Sequence, residues 1–380
     1  MAEVLFFFCI FVITYIYIGY PTLMLFFATV TNRKVNKSLH EPHVTIIIAA
    51  YNEEEYIADT ISNKQSLSYP QERLDVIVVS DASNDQTDDI VGKYESGNVR
   101  LLRQEPRSGK TAAINMAVPK AKGEILVFSD ANSIYAPDAL SHLLQNFADP
   151  TVGYVTGKMI YTNPDGTMIG DGCSAYMRYE TFLREQETKF GSVVGVDGGI
   201  DAVRKELYRP MNEDQLPDFV LPLKVVEQGY RVVYDPNAVL KEASLTSFRE
   251  EYGMRVRVTL RALWALNDMG HLLSLRRFGV FAWQLWSHKV LRYLCFIFLV
   301  GAYLANLALW SESPIYKFFF VLQNVTYLAA VLSPILERVG LPSRLPRLLK
   351  YCFLLNFAAA HAFTKFLLGH KRSVWTPRKG

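Results

Sequence analysis

Apolar and polar positions divide this 380-residue chain into three blocks. Residues 4–30, VLFFFCIFVITYIYIGYPTLMLFFATV, carry no charge. About 20 apolar residues suffice to cross the hydrocarbon layer, so this run predicts a membrane helix, kinked at Pro21. It has no basic leading segment and no small-residue cleavage site, and it is too long for a signal peptide. Arg33, Lys34 and Lys37 follow at once and place that end in the cytoplasm. Residues 276–380 turn apolar again, with spanning candidates at 294–310 and 315–336 joined by a short SESP loop. A third segment, about 348–368, is interrupted by Lys350, Asn356, His361 and Lys365, and either spans or lies in the interface. Arg338, Arg344, Arg347 and Lys350 put the linker before it on the cytoplasmic side. The closing HKRSVWTPRKG is equally basic, with Trp375 as an interfacial anchor. Parity puts this tail outside if the third segment spans, whereas its charge puts it inside.

Between these blocks, strand-like runs VTIIIAA (44–50), LDVIVVS (74–80), VRLL (99–102) and EILVFS (124–129) alternate with helical patterns near 53–66, 85–95, 110–121 and 136–147. Such alternation predicts an α/β domain whose mostly parallel sheet is covered on both faces. The organisation that follows is a membrane helix over 1–30, an α/β domain over 31–245, amphipathic interface helices over 246–290, membrane helices over 291–370 and a basic tail over 371–380.

Composition removes several alternatives. Half the residues are hydrophobic and only 20% are charged, which excludes disorder and fibrous repeats. Forty basic against thirty-seven acidic residues is too weak a field for nucleic acid to be the main partner. Cys9, Cys173, Cys295 and Cys352 lie far apart, which argues against a zinc site and a disulfide framework.

Ligands of such sheets bind beyond the carboxyl ends of the strands. The first strand runs into Tyr51, Asn52, Glu53 and Glu54, the second into Asp81, Asn84 and Asp85, the fourth into Asp130 and Asn132. Each group alone reads as a helix cap or Asx turn. Three at one edge predict a polar cleft. RSGKT (107–111) invites a phosphate-loop reading, but that motif needs glycine where Gln104 stands. Lys110 at a helix start is still suited to meet a phosphate.

AAYNEEEYI, VVSDASNDQT, RSGKTAAIN and FSDANS, in this order and spacing, resemble the nucleotide-sugar half of glycosyltransferase family 2. The likeness extends over most of residues 43–260, and the flanking apolar segments resemble those of membrane-bound polysaccharide and Nod-factor-type members. It implies a GT-A Rossmann-like domain flanked by transmembrane helices. It further implies that Tyr51 and Glu53 line a nucleoside pocket, that Asp81 bonds a uracil edge and that Lys110 approaches the nucleotide. FSDANS resembles the DxD metal motif, with Asp130 first and Asn132 in place of the second acid, so a divalent cation, Mn2+ or Mg2+, is expected with the donor diphosphate.

GSVVGVDGGIDAVRKELY (191–208) places Gly195, Asp197, Gly198 and Gly199 in a loop where backbone approaches a ligand or simply turns. It resembles the family's acceptor-side loop. Upstream, Tyr176, Tyr179, Phe182, Leu183 and Phe190 line one helical face, which reads as packing ahead of a sugar platform. Asp218 opens a helix ending near Gly229 and is either a cap or, by likeness to the family's ED-type motif, the general base; Asp214 is its nearest rival. A helix N-terminus favours the ionised carboxylate. Residues 247–266 form an amphipathic helix bearing Arg249, Arg255, Arg257 and Arg261, suited to a lipid surface. Only Arg257 is retained where processive members carry QxxRW.

These readings predict a cytoplasmic-membrane, multi-pass enzyme with its catalytic domain in the cytosol. It inverts the anomeric centre as it moves a sugar, most readily from a UDP-sugar, to a lipid-linked glycan or polysaccharide. Homo-oligomers or export partners fit the same picture. The alternatives are a processive synthase or a non-catalytic scaffold of an export system; three joint acids, Asp81, Asp130 and Asp218, speak against the scaffold. A transporter would need more spans.

Overall fold

The computed structural model describes residues 1–95, 97–162, 171–243, 247–338 and 344–371, with side chains left out at 171–174, 334–338 and 344. The chain opens with helix α1 (Ala2–Thr31). Its backbone passes through a π-helical turn at Tyr15–Gly19 immediately before Pro21, whose missing N–H cannot bond the carbonyl one turn back.

The α/β domain follows as β1 (Val44–Ala50), α2 (Ile57–Gln65), β2 (Leu74–Asp81), α3 (Thr87–Gly92), β3 (Val99–Gln104), α4 (Lys110–Ala117), β4 (Ile125–Asp130), β5 (Ile134–Tyr135), α5 (Ala139–Leu144), β6 (Val152–Thr162), α6 (Asp171–Phe190), β7 (Asp201–Arg204), α7 (Pro217–Glu227) and β8 (Arg231–Ala243). One eight-stranded sheet runs in the order β3-β2-β1-β4-β7-β6-β8-β5. Its β3-β2-β1-β4 part is parallel, with Val44 opposite Leu74 and Ile125. Strand β7 turns antiparallel to both β4 and β6.

All seven residues of β1 are buried, because helices cover both faces of the sheet. Period-two alternation splits them: Ile47, Ala49, Ile77 and Val79 pack with α4 and α7, while Ile46, Ile48, Val76 and Val78 pack with α2, α3 and α5. Parallel β1, β2 and β4 therefore end together, at Ala50, Asp81 and Asp130.

Beyond the sheet come α8 (Phe248–Asp268), α9 (Leu275–Tyr293), α10 (Cys295–Ala308), α11 (Pro314–Arg338) and α12 (Arg344–Leu367). Among the described residues two helices, Ala2–Thr31 and Pro314–Ser333, are long and apolar enough to cross a membrane, and α9 with α10 adds a third such unit bent by 58°. Their outward faces keep Phe11, Phe318 and Val331 exposed, as lipid-facing positions require. Helix α1 joins the layers: Val12 and Ile16 meet Cys295 of α10, and Tyr20, Met24 and Phe27 meet Leu183 and Phe190 of α6. The aromatic stripe of α6 is thus packing.

Helix α12 lies along α8, with Val256, Leu260 and Leu263 against Ala358 and Ala362. Lys350 stands over the Phe248 ring near one end, and Lys371 bonds Asp214 at 2.8 Å beyond the other. The start of the basic tail therefore lies against the α/β domain. Trp375 and the rest of that tail lie outside the described residues.

Candidate active site

Where β1 and β2 end, the two loops are tied together. Asn52 at φ 53° exchanges two hydrogen bonds with Asn84, at 2.7 and 2.9 Å, and Asp85 caps the following turn through Thr87 N–H. Tyr51 lies under the Arg107 guanidinium, 3.3 Å from ring centroid to Cζ. The Asp81 carboxylate is buried and accepts from Ser108 N–H at 2.8 Å, Gly109 N–H at 2.9 Å and Gln104 at 2.6 Å, with Arg107 3.7 Å away. Asp81 thus shapes the loop that starts α4, directly beside Tyr51.

That loop delivers Lys110. Its ammonium stands 2.6 Å from Asp130 at the end of β4 and 3.3 Å from Asp218 in the first turn of α7. Burial disfavours the charged amine, but Asp130 and Asp218 more than offset this and raise its pKa. The Asp218 carboxyl is also raised, chiefly by burial and against the pull of Lys110. A base displaced toward neutrality accepts a proton more readily than an ordinary aspartate.

Gly198 and Gly199 pass between these acids at φ +81° and +74°. A Cβ at Gly198 would stand 2.8 Å from the Asp218 carboxylate, and one at Gly199 would stand 3.4 Å from Asp130. Both positions need glycine for conformation and for space. Asp197, in the same loop, forms a double hydrogen bond with the buried Arg184 of α6, so it braces the loop.

The cleft so formed is bordered by Glu53, Lys110, Asp130, Asn132, Asp218 and Arg257, with Glu242 of β8 also on its wall. Asp214 does not border it and pairs with Lys371. Oxygen donors from Asp130 and Asn132 suit a hard cation, which ordinarily takes one or two protein carboxylates and completes its shell with substrate phosphate and water. Among the described residues no group of three or more His, Cys, Asp or Glu side chains forms a self-sufficient metal cage.

Four further residues come from the tertiary structure. Arg107 closes over Tyr51. Arg261 of α8, its pKa pulled down to about 10 by burial, bonds the carbonyls of Asp214 and Gln215 and so fixes the approach to Asp218. Asp201 opens β7 with both carboxylate oxygens buried, and burial with the nearby Asp218 charge pushes it up to about 8. Lys289 of α9 enters the cleft beside Gly195. Only Arg107 and Arg261 had a local signal, the RSGK loop and the basic helix; Asp201 and Lys289 sit in ordinary strand and helix text.

Comparison with known proteins bears on the fold and the family. The profile of Glycosyl transferase family 2 matches residues 45–210. A poly-beta-1,6-N-acetyl-D-glucosamine synthase of Staphylococcus aureus is 28% identical over 246 residues, covering 62% of this chain and 56% of that protein. A beta-monoglucosyldiacylglycerol synthase of Trichormus variabilis is 30% identical over 169 residues, covering 43% of this chain and 36% of that one. The chain thus spans about half the length of the staphylococcal relative. A mannosyltransferase from Pyrobaculum calidifontis, solved with GDP-Man and Mn2+, matches in fold with a TM-score of 0.74 at 22% identity, over 97% of this chain and 99% of that one. The matched segment contains β1 to β4, Lys110, Asp130 and the Gly198–Gly199 turn, so over residues 45–210 this chain is similar to glycosyltransferase family 2, and it shares the fold of the Pyrobaculum mannosyltransferase.

Proposed function

We propose that this chain is an inverting, metal-assisted glycosyltransferase of the cytoplasmic membrane. It takes a sugar from a nucleotide-diphosphate donor, UDP-linked, and adds it to a lipid-linked glycan or polysaccharide. The observation that carries this reading is the convergence of Asp130, Lys110 and Asp218 at the carboxyl end of the parallel strands, with Lys110 2.6 Å from one acid and 3.3 Å from the other. A polar cleft at this edge is where open α/β sheets bind nucleotides.

The acceptor hydroxyl gives its proton to the Asp218 carboxylate as its oxygen bonds the anomeric carbon. The bond from that carbon to the donor's phosphate oxygen breaks, and its electron pair leaves with the diphosphate. Lys110 and Arg257 offset the charge that develops there. Tyr51 and Arg107 offer a flat wall to the nucleoside. Together with the donor phosphates, Asp130 and Asn132 would hold a divalent cation, which would supply further charge stabilisation to the leaving group.

The test uses the full chain in detergent with a panel of UDP- and GDP-sugars, lipid extract as acceptor, and Mn2+, Mg2+ or EDTA. Nucleotide release should depend on metal and fall by about 10²–10⁴ in Asp218→Asn, the range of a lost general base. No release, together with no UDP binding by calorimetry, would leave the scaffold reading in its place. The staphylococcal relative's name supports a polymer as product, so product size from the same reaction separates chain growth from single addition.

A further inference from the structure

Two π-helical turns meet where α1 packs on α9: Tyr15–Gly19 of the first and Trp286–Val290 of the second. Such turns are rare and are found frequently at functional sites. Here they are joined directly, with Tyr15 Oη and Ser287 Oγ 2.7 Å apart and Trp283 Nε1–H donating to the same Tyr15 oxygen at 2.8 Å. Tyr20, just past the first turn, and His288, within the second, converge on one carboxylate of α6. Tyr20 O–H donates to Glu187 Oε1 at 2.6 Å, and His288 Nδ1 stands 2.6 Å from the same oxygen. All three side chains are buried.

The second oxygen of Glu187 faces the cleft side: Val194 N–H donates to Oε2 at 3.1 Å. About one turn earlier on α6, Arg184 donates to the Gly195 carbonyl at 3.1 Å and to both oxygens of Asp197. The segment held in this way is a wall of the cleft. Gly195, Val196 and Asp197 border it, and Gly198 and Gly199 rest against the carboxylates of Asp218 and Asp130. Glu187 therefore joins two apolar helices on one oxygen to the start of this wall on the other. Only a carboxylate accepts on both sides. An amide has one oxygen and a donating NH2 group, so glutamine at this position sets donor against donor on one side or the other.

We propose that Glu187 is a positioning residue for glycosyl transfer: it ties the Gly195–Gly199 wall to α1 and α9, so that these helices set the place of the groups around Asp218. This rests on the cleft being the site of transfer. The full chain in detergent is read by hydrogen exchange, which needs no turnover, and by nucleotide release with the donor panel above. In Glu187→Gln the segment 191–200 should exchange about tenfold faster, as loss of a bond to a charged group allows, while β1 keeps its protection. The kcat should fall by a similar factor with donor KM and UDP affinity unchanged, because Tyr51, Asp81 and Arg107 lie on other loops; a merely structural role would not split kcat from KM. Tyr20→Phe removes one donor and leaves Val194 bonded. It should act in the same direction, less strongly, and add nothing in the double variant, because it works through Glu187. It also carries the test alone if Glu187→Gln does not fold. Unchanged exchange of the segment in both variants overturns the proposal. So does faster exchange with kcat intact, a loss of protection equal in β1 and the segment, or full additivity of the two substitutions. A wild-type chain that releases no nucleotide fails the enzyme reading instead, and the exchange data keep the two failures apart.

Discussion

Gly198 shows how closely a single position controls this cleft. Its φ of +81° and the 2.8 Å from its Cβ site to Asp218 mean that Gly198→Ala meets strain and collision together. We expect a stability loss of about 1–3 kcal/mol. Turnover should fall further than stability explains, with Asp218 displaced; thermal unfolding and nucleotide release measure the two. Asp201 makes a pH prediction. Its carboxyl ionises near 3.8 when unfolded and is raised to about 8 in the fold. Its contribution to stability is thus fully present below the lower value and is lost as pH rises to the upper one, because the unfolded chain releases the proton first. Asp201→Asn should flatten the unfolding midpoint between pH 5 and 8, removing a slope of at most roughly 1.4 kcal/mol per pH unit. The glycines, Lys110, Asp130 and Asp218 were legible as residues, because strand ends and helix starts mark them. Asp201 was not: nothing along the chain says that a strand's first residue will be buried beside Asp218.

Among the elements, α6 and the Gly195–Gly199 loop depend on one ion pair. Asp197 and Arg184 are both nearly buried, at 12% and 4% side-chain exposure. Asp197→Asn takes the closer of two carboxylates from the guanidinium, Glu180 remaining at 3.9 Å, and should cost about 1–3 kcal/mol, while adding Arg184→Met should restore part of it. If Asp197 instead met the acceptor, the single variant would keep its melting temperature and lose only turnover. Glu180 also reaches Arg184, at 3.9 Å, and its own pKa is lowered: Arg292 and His288 more than offset its burial. The alternating strands and helices of this domain are readable because period-two and period-3.6 patterns follow from backbone geometry. Their partners are not. The antiparallel insertion of β7 between β4 and β6 depends on contacts across some 75 residues.

Over the whole molecule, helix α1 ties the apolar helices to the α/β domain. A Cβ at Gly301 of α10 would lie 2.9 Å from the Cys9 sulfur of α1. Gly301→Val should force these helices apart and destabilise by about 1–3 kcal/mol, as overpacking does, with a lower unfolding midpoint in detergent. Nucleotide binding, as proposed above, should survive at temperatures below that midpoint, because Tyr51, Asp81 and Asp130 stand at the ends of sheet strands.

The sequence by itself determined the apolar N-terminal helix, the strand–helix alternation and the polar residues at the strand ends, since each is a local pattern of hydrophobicity or turn chemistry. The family resemblance also rested on such local motifs, and the shared fold agrees with it. Only the tertiary structure decided that α9 and α10 form a rod bent by 58°, that α12 lies along α8, and that Lys289 enters the same cleft as Asp218. Those facts depend on which faces of distant helices meet. A helix's own sequence states that it has an apolar face, and packing against the rest of the chain states what that face covers.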